Sequence, residues 1–192
     1  MIDEILEDRE HQLLNNNNKP SPWKTGIKWG IIGGLGLIVY SLMSYVLKEN
    51  VFKAGLIDFL ILFILLVTPI VLSQKEHKVK ELYNEMSYGR ALGIGTIVAL
   101  IAGILLALWN VVLYHFIISP EELEQGVQFT VETTIEMMEK IGAEMTDEMV
   151  ELQESETRKG FRPTSQIISG TLMKTFIGFI ISLITSIFTK QN

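Results

Sequence analysis

Four long apolar stretches, Trp29 to Leu47, Ala54 to Gln74, Ala91 to Ser119 and Thr164 to Thr189, hold only Asp58 and Lys174 as full charges. A helix rises about 1.5 Å per residue and the hydrocarbon layer is roughly 30 Å thick, so about 20 apolar residues are needed to cross it. Each stretch reaches or approaches that length. Hydrophobic residues make up 48% of the 192-residue chain, and concentration into such blocks does not suit a water-facing fold. The runs are continuous rather than short and alternating, so helices and not barrel strands are expected to span. The fold class read from sequence is all-α, a four-transmembrane-helix integral membrane protein.

The edges of the blocks divide the chain further. Residues 1–21 form an acidic segment in which Ile2, Ile5, Leu6 and Leu13 mark a short amphipathic helix before the linker Asn15 to Asn18. This segment has no apolar core and is the opposite of a cleavable leader, so the first span is expected to serve as its own insertion signal. Residues 22–119 carry spans one to three. Ser21-Pro22-Trp23 opens the first, with a capping serine, a proline at the first helical position and an interfacial tryptophan. The short connection Lys48 to Lys53 makes spans one and two an antiparallel hairpin, and Pro69 is expected to bend the second. Gln74 to Arg90 reads as a surface connection, with Leu82, Met86 and Tyr83 laying one face of a short helix on the bilayer.

Residues 120–163 form a different kind of segment. Ser119-Pro120-Glu121-Glu122 matches a capping box. Beyond it, Leu123, Val127, Val131, Ile135, Met138, Ile141, Met145, Met149 and Leu152 recur at steps of three and four while glutamates fill most other faces. The sequence thus predicts a long amphipathic helical arm outside the membrane, about 55 Å if continuous, with a break signalled at Gly142 and a restart at Thr146. Arg158 to Pro163 reads as a basic hinge, and Thr164 or Ser165 as the cap of the fourth span in residues 164–192. Twelve of the 22 acidic residues fall between Glu121 and Glu156, which excludes nucleic acid as the expected partner because phosphate binding needs clustered Lys and Arg.

Four crossings return both termini to one side. That side collects nine Lys and Arg residues against seven opposite, with the second connection clearly basic. The positive-inside rule therefore favours cytoplasmic termini.

Candidate functional residues fall into three sets. Gly26, Gly30 and Gly34 repeat at four-residue spacing in span one, and Gly178, Ser182 and Ser186 form a weaker row in span four. Small residues let helix backbones approach closely; the span-one row is expected to pack against the second or the fourth span, where the two rows would meet, with a second copy as the alternative. Asp58, Asn110, Tyr114, His115 and Lys174 are expected at similar depth near one membrane face, where an intramembrane polar cluster would be a candidate for ion or proton passage, although charges so near helix ends can also snorkel. Val127, Val131, Ile135, Met138, Met145 and Met149 form the arm's apolar face. There is no cysteine, and His11, His77 and His115 lack ligands at metal spacing, so neither a metal nor another cofactor is expected. No hydrolase, nucleotide-binding or zinc-protease motif occurs, and an enzyme is not expected.

Three short motifs in order carry a family resemblance: Pro22-Trp23-Lys24 before a glycine-rich first span, Ser87-Tyr88-Gly89-Arg90-Ala91-Leu92-Gly93 entering the third, and Pro120-Glu121 opening a Met- and Glu-rich helical insert. In this the chain resembles the four-pass bacterial membrane family known as domain of unknown function 4199. The resemblance implies a bacterial inner-membrane location and supplies no activity. The expected role is structural or interactive: the arm contacts a membrane-protein partner, a second copy or the bilayer. The alternative is a small transporter or channel component using Asp58, His115 and Lys174.

Overall fold

The computed structural model describes residues 20–47, 56–82 and 86–189. The N-terminal amphipathic helix, the linker Asn15 to Asn18, the turn Lys48 to Lys53 and Tyr83 lie outside them. Six α-helices are described: α1 (Pro22–Leu47), α2 (Leu56–Glu76), α3 (Tyr88–Val112), α4 (Pro120–Lys140), α5 (Asp147–Gly160) and α6 (Pro163–Thr189). Four segments are long and apolar enough to cross a bilayer, namely Pro22–Leu47, Ile57–Lys80, Tyr88–Ile117 and Pro163–Thr189. The protein is an all-α, multi-pass membrane protein.

α3 is the centre of the bundle. It is buried over 56% of its most apolar window, against 22%, 22% and 17% for the spans built on α1, α2 and α6. α1 packs on one side of α3 and α6 on another, while α2 touches all three. Ile70 of α2, Val98 and Ala99 of α3 and Ile181 of α6 form the inner cluster. The outward faces of α1, α2 and α6 remain apolar, as at Leu35, Phe63 and Phe176, which suits contact with lipid tails.

The glycine rows explain the arrangement, but not in the expected pairing. A Cβ on Gly26 would stand 2.6 Å from Ile97 Cγ2, on Gly30 2.6 Å from Ile101 Cβ, and on Gly34 2.7 Å from Leu105 Cδ1. The span-one row therefore faces α3, not α2 or α6, and each glycine admits one branched α3 side chain. Gly33, off that row, receives Pro69 of α2. The span-four row also faces α3: Gly178 admits Ala99, and Ser182 sits over Gly95. Spans one and four do not meet through these rows, because α3 lies between them.

Two connections also differ from expectation. α2 runs on through a wide π-type turn, His77–Glu81, and Gln74 and His77 are fully buried. The surface connection thus begins after Glu81 and not at Gln74, where polarity placed it. Met86 is buried with Ala91 and Ile94, with Leu82 packed against them, so these residues close the end of the bundle instead of lying on the bilayer. At the other end α6 begins at Pro163, ahead of Thr164 and Ser165. Arg158 to Gly160 belong to α5, which leaves only Phe161 and Arg162 between the two helices.

The arm is a helical hairpin. Ser119 Oγ accepts from Glu122 N at 3.2 Å while Ser119 N donates to Glu122 Oε2 at 2.8 Å, completing the capping box that starts α4. Gly142 takes φ of +79°, a left-handed conformation disfavoured for residues with a Cβ, and ends the helix. Thr146 then caps α5 by accepting from Met149 N at 3.4 Å. The arm accordingly folds back on itself, so α4 extends only about 30 Å.

Candidate functional site

Polar side chains gather at three levels. At the end shared by the start of α1 and the end of α6, Gln74 Nε2 donates toward the Ala91 carbonyl at 3.1 Å, Ser186 Oγ at 3.2 Å and Ser182 Oγ at 3.3 Å. Its Oε1 accepts from Thr189 Oγ1 at 3.2 Å, and Ser182 Oγ donates to the Leu92 carbonyl at 3.0 Å. One glutamine thereby ties α2 to α3 and α6. Beside it, His77 Nδ1 meets Thr25 Oγ1 at 3.3 Å and joins α2 to α1. Such pairing is what allows polar groups to be buried among apolar helices.

Closer to water, Glu76 accepts two bonds from Lys28 Nζ, at 2.8 and 2.9 Å, and one from Trp29 Nε1 at 2.5 Å. Lys80 adds a fourth at 3.3 Å. Arg90 donates to the Pro20 carbonyl. Lys24, Lys28, Lys75, Lys78, Lys80 and Arg90 therefore share this end of the bundle, with Glu76 as a fixed counter-charge.

The expected intramembrane cluster divides. Asp58 accepts from Tyr40, linking α2 to α1. His115 Nε2 lies 3.0 Å from the Phe161 carbonyl, and Tyr114 meets the Phe161 ring edge-on at 5.2 Å, so both fasten the end of α3 to the α5–α6 junction. Lys174 lies farther inside, eleven residues past Pro163, with Nζ 3.4 Å from the Gly170 carbonyl of its own helix. Asn110 is half-buried near the end of α3. Asp58 and Lys174 thus take part in separate interactions and do not form a mutual ion pair. His77 and His115 stand at opposite ends of the bundle.

On the arm, Arg158 grips Glu124 through two bonds of 2.6 and 2.5 Å and also holds Glu154 at 2.8 Å. The Arg158 guanidinium keeps the Glu124 carboxyl below its ordinary range, and the two carboxylates raise the Arg158 pKa. This clamp joins the base of α4 to the end of α5. Val127 and Val131 are buried, whereas Ile135, Met138 and Met145 are half-buried. Part of the apolar face expected to meet a partner is therefore already covered within the protein. The exposed apolar residues lie toward the tip: Met137, Ile141, Met149 and Leu152.

Gln74, His77, Thr25 and Thr189 were not among the sequence candidates. Their signal was weak: polar residues at the margins of apolar blocks look like helix ends, and only the packing of α2 on α3 and α6 turns them inward.

Residues 28–191 match the profile of a family described as Protein of unknown function (DUF4199). That range spans most of the chain, so the protein belongs to this family. Neither the curated proteins nor the solved structures gave a match.

Proposed function

We propose that this member of the family is a non-enzymatic interaction subunit of a bacterial inner membrane, with cytoplasmic termini and the α4–α5 hairpin outside. The observation that carries this reading is the anchored hairpin with an exposed apolar tip. Arg158–Glu124 and His115–Phe161 hold its base, while Met137, Ile141, Met149 and Leu152 stay uncovered amid acidic residues. Exposed Met side chains adapt to varied apolar surfaces, and the surrounding acids select a partner protein with a basic surface. The same acids disfavour an anionic bilayer surface and a like-charged second copy. The basic end formed by Lys24, Lys28, Lys75, Lys78, Lys80 and Arg90 supports cytoplasmic termini.

A transport pathway is less well supported. Asp58, His115 and Lys174 lie in separate contacts, and the interior between the spans is filled by Ile70, Val98, Ala99 and Ile181.

Because the chain has no cysteine, single replacements give clean labels. Cysteine at Met149 carrying a photo-crosslinker should yield one discrete heteromeric species, lost when Glu148 and Glu151 are changed to Lys. The same label at Gln128 should not. A homodimer crosslink, or crosslinking indifferent to the charge reversal, would refute the reading. For orientation, an impermeant maleimide applied to intact cells should label cysteine at Glu144 and not at Lys78; the reverse pattern would invert the topology.

A further inference from the structure

The seam between the start of α1 and the end of α2 gathers more positive charge than Glu76 balances. Lys28 Nζ and Lys80 Nζ both contact Glu76 Oε1, at 2.8 and 3.3 Å, so the two helices bring two ammoniums to a single oxygen atom. Trp29 Nε1 donates to the other oxygen at 2.5 Å, and Lys28 Nζ stands 5.4 Å from the centre of the Trp29 ring, which holds the carboxylate and one cation in place. Lys24 lies one turn nearer the start of α1, on the same face as Lys28, and is exposed.

An ammonium carries three N–H donors. Lys80 gives one to Glu76 and Lys28 bonds both carboxylate oxygens, yet the two side chains remain 70% and 52% exposed. Donors are therefore left over at both. Their depth suits a headgroup: the 26 residues of α1 extend about 39 Å against roughly 30 Å of hydrocarbon, so its first turns stand among phospholipid headgroups. Deeper in the membrane the seam is apolar. Gly33 meets Pro69 there, and the exposed Ile32 and Leu35 of α1 and Leu72 of α2 lie one to two turns below Lys28 and Glu76. Cations at headgroup level followed by apolar side chains along the hydrocarbon match the layout of a phospholipid.

We propose that the α1–α2 seam binds a phospholipid with an anionic headgroup, of the phosphatidylglycerol class. Its phosphate takes the remaining N–H donors of Lys28 and Lys80, Lys24 adds attraction one turn above, and an acyl chain lies along Ile32, Leu35 and Leu72. A zwitterionic headgroup would bring a further cation to the same place, so a lipid of net negative charge is favoured. Lys78 is at the same end of the bundle but two residues from both Glu76 and Lys80, hence on another flank of α2 and outside the site. The site is independent of the hairpin and of the partner assigned to it.

Trp29 reports on the seam once Trp23 and Trp109 are replaced by Phe. This full-length protein is placed in symmetric bilayers of phosphatidylcholine, and phosphatidylglycerol or phosphatidylcholine brominated on its acyl chains is titrated in at constant ionic strength. Bromine quenches a neighbouring indole. The brominated phosphatidylglycerol should quench Trp29 with the higher apparent affinity. Lys24→Gln, Lys28→Gln and Lys80→Gln should each lower that affinity by about fivefold, and Lys78→Gln should leave it unchanged. If Lys28→Gln does not fold, the Lys24 and Lys80 variants decide the matter. Equal quenching by the two lipids would overturn the proposal. So would a loss in Lys78→Gln as large as in the seam variants, which would reduce the effect to a general surface potential. Relief of the quenching by inorganic phosphate, with chloride matching the ionic strength, would also overturn it and assign the donors to a soluble anion.

Discussion

Alanine at Gly30 and alanine at Gly103 make a controlled pair. Both positions are within membrane spans and both substitutions improve intrinsic helix propensity, so that contribution largely cancels in the comparison. The surroundings differ. At Gly30 the new Cβ would lie 2.6 Å from Ile101 Cβ, 3.0 Å from its Cγ2 and 3.1 Å from the Val98 carbonyl oxygen. Unstrained carbon atoms prefer about 3.5–4.0 Å, so α1 and α3 must separate by roughly 1 Å. Ile101 Cβ is fixed to the backbone and cannot rotate away. Overpacking of this kind costs about 1–3 kcal/mol, and moving α1 also strains the Thr25–His77 bond at its start. At Gly103 the nearest atom would be 3.4 Å away, and little strain is expected. Unfolding in mixed micelles titrated with denaturing detergent should show Gly30→Ala destabilised by about 2 kcal/mol and Gly103→Ala near the unaltered protein. Equal stabilities for the two variants, or the opposite order, would refute close α1–α3 packing as the basis of the bundle.

Gln74→Leu keeps the volume but removes two amide N–H donors, shared among Ala91, Ser182 and Ser186, and the acceptor that Thr189 uses, in effect three bonds. At about 0.6 kcal/mol per bond between membrane helices, the same titration should show a loss of about 2 kcal/mol. An unchanged midpoint would remove the glutamine from its locking role. The hairpin clamp should depend on acidity. Glu124 is held below its ordinary value of 4.5 by Arg158, so its contribution is complete above that value and disappears as pH falls through the lowered one. Protection against hydrogen exchange at the base of α4 and the end of α5, taken relative to the intrinsic exchange rate at each pH, should therefore fall in acid, and Glu124→Gln should be less protected at neutral pH and lose that acid dependence.

The four apolar blocks determined the membrane class and approximate helix bounds without help from packing, because a bilayer imposes length and apolarity on each span separately. The capping box at Ser119, the break at Gly142 and the restart at Thr146 were equally local, since each depends on backbone geometry within a few residues. What lay between helices was not legible. Gly26, Gly30 and Gly34 announced close packing but could not say that α3, rather than α2 or α6, would fill the groove. Gln74 and His77 looked like the beginning of a surface loop until the tertiary arrangement surrounded them. Asp58, His115 and Lys174 looked like one cluster because similar depth was inferred for all three; azimuth around the bundle, which sequence does not encode locally, sent them to different neighbours. Local chemistry decides what a helix can present, and only the packed bundle decides what that surface meets.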